Sequence, residues 1–103
     1  MVNIKNHKTQ IIEMARFYIE LPNKVESDAD KYNAEIGRAA SEKLLKLLAE
    51  VGDELQKHQS NQLDALLMSL TRGVEQFEDK EAQHLHRQYG QLRSNLRVSL
   101  FQP

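Results

Sequence analysis

The sequence predicts an all-α fold, an antiparallel helical hairpin of two long helices with a shorter N-terminal helix packed on it as a three-helix bundle. Three observations predict it. Apolar residues recur three and four positions apart along most of the 103 residues. Four glycines and two prolines are too few for the many turns of a β fold. Hydrophobic residues at 40% and charged residues at 28% are the composition of an ordinary globular chain. The length suits a single helical domain over residues 1–103 with one core.

The first helix is expected from Asn3 or His7 to Glu20. Ile4, Ile11, Ala15, Tyr18 and Ile19 lie near helical spacing, and Met14, Phe17 and Leu21 widen the apolar arc. Pro22 disfavours helical geometry at Leu21 and so ends the helix. Ser27 or Asp28 is the natural N-cap of the next helix. Asp28 and Asp30 suit the positive end of its dipole.

The second helix is expected from Ala29 to Lys57. Its stripe is Tyr32, Ile36, Ala40, Leu44, Leu47, Val51 and Leu55, close to an 11-residue repeat and therefore nearly straight. Gly37 and Gly52 each cost about 1 kcal/mol relative to alanine in a helix. They read as close-packing points, with a kink at Gly52 as the alternative.

The turn is expected at residues 58–61, with Ser60 or Asn61 capping the third helix. That helix carries Leu63, Leu66, Leu70, Val74, Phe77, Glu81, Leu85, Tyr89, Leu92, Leu96 and Leu100. The stripe keeps its phase through Glu78-Asp79-Lys80-Glu81, which favours one helix of about 40 residues spanning about 60 Å. The alternative is a break near Asp79 and a four-helix bundle.

In a hairpin of this register, facing residues sum to about 118, counted from Leu55 beside Leu63. The second helix then runs out opposite Tyr89. Leu92, Leu96, Val98, Leu100 and Phe101 project beyond it as an exposed apolar strip, the mark of an interface. The expectation is a protein partner of unspecified identity and, most simply, a homodimer. The same register sets Arg38 beside Glu81, a structural ion pair in an otherwise apolar stripe.

Between Ala82 and Pro103 the charged residues are Arg87, Arg93 and Arg97, with no acid. Such a face suits an acidic protein surface. The alternative is a dimeric nucleic-acid-binding regulator, with arginines along phosphates. A pI of about 6.4 and the absence of interleaved aromatics weigh against that alternative.

Enzymatic chemistry finds no support. Cysteine is absent, so thiol catalysis, disulfides and thiolate-bound zinc are excluded. Glu81 and His84 have the spacing of a di-iron ligand pair, but that architecture needs a second such pair and two more glutamates. His84 and His86 point to different helix faces. No cofactor and no metal are expected. No apolar leader and no 18-residue apolar run are present, so the expected location is cytoplasmic, away from membranes. In size and composition the chain is similar to small helical accessory proteins of bacteria and phages, such as secretion chaperones, anti-adaptors and inhibitors. That likeness fixes no function.

Overall fold

The computed structural model describes residues 2–70 and 77–101. It is mostly helical. A two-residue strand β1 (Val2–Asn3) precedes helix α1 (Lys8–Glu20) and a 3-10 turn (Leu21–Asn23). Helix α2 (Asp28–Glu50), strand β2 (Glu54–Leu55), helix α3 (Lys57–Ser69) and helix α4 (Lys80–Phe101) come next. No described helix is long and apolar enough to cross a membrane.

The start of the chain obeys its sequence signals. Pro22 sits inside the 3-10 turn that closes α1. Ser27 is extended, and its hydroxyl accepts a hydrogen bond from the Asp30 amide at 3.1 Å, capping α2. Ile11, Met14, Ala15 and Tyr18 of α1 pack in the core with Ala34, Ala40, Leu44, Leu47 and Leu48 of α2. Gly37 is the closest approach: a Cβ there would stand 2.9 Å from Tyr18 Cδ1. The close-packing role read for Gly37 therefore holds.

The end of α2 differs from the expectation. It stops at Glu50, seven residues short of Lys57, and Val51 is extended. Gly52 lies beyond the helix, where a Cβ would meet open space, so it is not a packing point. The chain beyond α2 instead pairs with its own N-terminal segment. Val2 faces Leu55 and Asn3 faces Glu54 in an antiparallel bridge. The Ile4 amide donates to the Asp53 carbonyl at 2.7 Å. The Lys8 ammonium reaches the carbonyls of Val51 and Gly52, both at 3.4 Å, a cation where the helix leaves carbonyls unpaired. Periodicity could not reveal this, because Val51 and Leu55 face the core whether the backbone is helical or extended.

Helix α3 starts at Lys57, ahead of the caps expected at Ser60 and Asn61. The Gln59 side chain accepts from the Gln56 amide at 2.9 Å, one arm of a capping box.

The single 40-residue helix does not form. Phe77, Glu78 and Asp79 are not helical, and α4 begins at Lys80. Val74, a member of the expected stripe, lies outside the described residues. The described residues extend 42 Å at most, too short for a helix of about 60 Å. Two carboxylates fix the new start. Asp30, 2% exposed, accepts from the amides of Glu78 at 2.8 Å and Asp79 at 3.0 Å. Asp79 then caps α4 by accepting from the Ala82 amide at 2.8 Å.

With the helix broken, the hairpin register lapses and so does the Arg38–Glu81 pair. Arg38 instead binds Glu35 and Glu42 on its own helix, while Glu81 is exposed near the start of α4. The overhanging apolar strip is largely folded in, and Val98 alone of it stays exposed, at 56%. Leu96 is 2% exposed, and Leu92, Leu100 and Phe101 pack against the core. Helix α4 turns back over the molecule instead of projecting past its neighbours.

Candidate docking cleft

Helix α4 is held to α1 largely by rings. Phe17 stacks on Tyr89 with centroids 4.7 Å apart, and Phe17 meets the Tyr18 ring edge-on at 4.8 Å. The Tyr18 hydroxyl lies 2.9 Å from His86 Nδ1; either group can donate, according to the imidazole tautomer. Phe77 packs edge-on against the His86 ring. Burial pushes the Tyr18 phenol well above the ordinary tyrosine value. It lowers the His86 imidazole, helped by the Arg93 guanidinium. Both groups are thus held neutral near pH 7, which suits a latch between helices.

The latch leaves a cleft beside it. At one end lies a pocket of about 230 Å³ over Phe17, Leu21, Ala82 and Leu85, bordered by Lys24, Asp79 and Glu81. At the other lies a shallower one of about 450 Å³ over Phe17, Leu85 and Tyr89, bordered by Glu13, Arg16, Glu20 and Lys24. The two share Phe17, Lys24 and Leu85, so they adjoin along the α1–α4 seam. Glu13, Arg16, Phe17 and Glu20 are spaced three, one and three apart on one face of α1, and Leu21 and Lys24 carry the lining on through the 3-10 turn. Leu21 and Ala82 are buried, while Phe17, Leu85 and Tyr89 remain half-exposed. The rim carries four acids against two bases. Among the described residues none of Glu13, Arg16, Glu20, Lys24 and Glu81 forms an ion pair.

The partner residues expected from the sequence are dispersed. Leu92, Leu96, Leu100 and Phe101 serve the core. Arg97 is bound to Asp64 of α3 at 2.6 Å, which raises its pKa further. Arg93 is half-buried beside Tyr18, and burial lowers its pKa. Arg87 alone of the three is exposed, so they do not form one open basic face. Phe17 and Tyr18 were visible in the sequence as members of the apolar arc of the first helix. Their partners His86 and Tyr89 were not, because only the fold brings them within reach. Among the described residues no three His, Asp or Glu side chains converge as metal ligands.

No known protein family matches the chain, and neither a curated protein nor a solved structure is detectably similar to it.

Proposed function

We propose that this chain is a non-enzymatic binding protein that docks another protein in the cleft between α1 and α4. The observation that carries the reading is the set of half-exposed apolar side chains, Phe17, Leu85 and Tyr89, lining two adjoining pockets. Aromatic and aliphatic anchors in a concave seat are the usual energetic centre of a protein interface. Two packed helices with a furrow between them suit a helix or extended segment of a partner. The seam is therefore preferred as the docking surface to the C-terminal strip and the arginines. Burial of Leu96 and the Arg97–Asp64 pair weigh against dimerisation through that strip and phosphate binding by Arg87, Arg93 and Arg97.

The test is site-specific photo-crosslinking in the native host. A photoreactive residue at Leu85 is expected to capture a discrete partner, and one at Lys46 on the α2–α3 face is not. Equal capture at both positions, or capture at Lys46 alone, would overturn the reading.

A further inference from the structure

We infer that the occupant of the cleft is a basic amphipathic helix of about three turns; this rests on the docking reading above. Three observations bear on the identity of the occupant. The first is length: the α1 side runs over the seven helical steps from Glu13 to Glu20, about 10 Å, and continues through the 3-10 turn to Lys24, which together suit about three turns of a docked helix. The second is the apolar floor, with Phe17 and Leu21 on the α1 side and Ala82, Leu85 and Tyr89 on α4, which offers a seat for the apolar stripe of an amphipathic helix. The third is charge. Glu13, Glu20, Asp79 and Glu81 outnumber Arg16 and Lys24 around the rim. Glu13, Glu20 and Glu81 are exposed and, among the described residues, bound to no cation. Glu35 and Glu42 on α2 share the single positive charge of Arg38. Lysine or arginine flanking the occupant's apolar stripe would meet the rim acids, speeding encounter and rejecting acidic helices.

The experiment uses two synthetic peptides of about twelve residues with the same leucine stripe, one carrying lysine and the other glutamate on the polar face. Each is titrated into the isotopically labelled full chain at low salt, and amide shifts are followed by NMR. The lysine peptide is expected to shift amides around Phe17, Leu21, Ala82 and Leu85, and the glutamate peptide is not. Glu13→Gln and Glu81→Gln lie outside the core, and each should weaken the lysine peptide about two- to fivefold, as for a single exposed charge pair. The weakening should fade as salt screens the rim. Equal binding of both peptides, shifts confined to the α2–α3 face, or no binding would overturn the inference. So would concentration-dependent shifts at the cleft without any peptide, which would make a second copy of this chain the occupant. Capture of an acidic or extended segment from Leu85 would overturn this inference and leave the docking reading standing.

Discussion

Tyr18 shows how much depends on single contacts. Its ring lies against the missing Cβ of Gly37 on one side, and its hydroxyl meets His86 on the other. Gly37→Ala gains about 1 kcal/mol of helix propensity. The added methyl would stand 2.9 Å from a fully buried ring, and overpacking of that kind costs about 1–3 kcal/mol. The expected outcome is a net loss of stability in chemical denaturation, together with displaced Tyr18 and His86 resonances. His86 adds a pH dependence. Its folded pKa lies below the ordinary histidine value of 6.5, so the unfolded chain binds the proton more readily. The stabilisation is complete above pH 6.5 and fades as pH falls from there through the lowered folded pKa. The groups facing the ring are Tyr18 of α1, Phe77 ahead of α4, and Arg93 of α4 itself, so no carboxylate among them offsets the new charge. Between pH 7.5 and 5 the native protein should lose more stability than His86→Gln. Parallel loss in the two would contradict the latch.

At the scale of elements, α1 and the start of α2 were legible because their signals are local: Pro22 acts on Leu21, and Ser27 acts three residues away on Asp30. The break before α4 was not legible. Phe77 before it and Tyr89, Leu92 and Leu96 after it all pack on the core, so the apolar phase runs on undisturbed. Its cause is a hydrogen-bond pair from Asp30, 48 and 49 residues away, which no local pattern encodes. Asp30→Ala should cost about 3 kcal/mol, since two amides lose a buried carboxylate partner, and Asp30→Asn, which keeps one acceptor, should cost less. Amide exchange at Glu78 and Asp79 should rise in both, and unchanged exchange would show that something else holds the α4 start. By contrast Asp64–Arg97 is a partly exposed pair worth about 1 kcal/mol or less, so it is a minor support of α4.

For the whole molecule the break decides the function read from it. An unbroken helix would have left an apolar strip hanging free and arginines in a row, which is why the sequence pointed to a dimer or a nucleic-acid binder. Folding α4 back buries Leu96 and packs Leu92, Leu100 and Phe101 against the core, ties Arg97 to Asp64, and creates a cleft that neither helix has alone. The apolar residues and the all-α class were legible because burial requires only the right spacing. Which helix covers which was not, because aromatic pairs such as Phe17 and Tyr89 are far apart in sequence. The most direct measurement is therefore the nuclear Overhauser effect between the rings of Phe17 and Tyr89 in the free protein. Strong cross-peaks are expected between them, and between Tyr18 and His86, from centroids 4.7 Å and 5.9 Å apart. Their absence, with solvent-exposed Leu96 and a particle about 60 Å long in solution scattering, would restore the single long helix and remove the cleft.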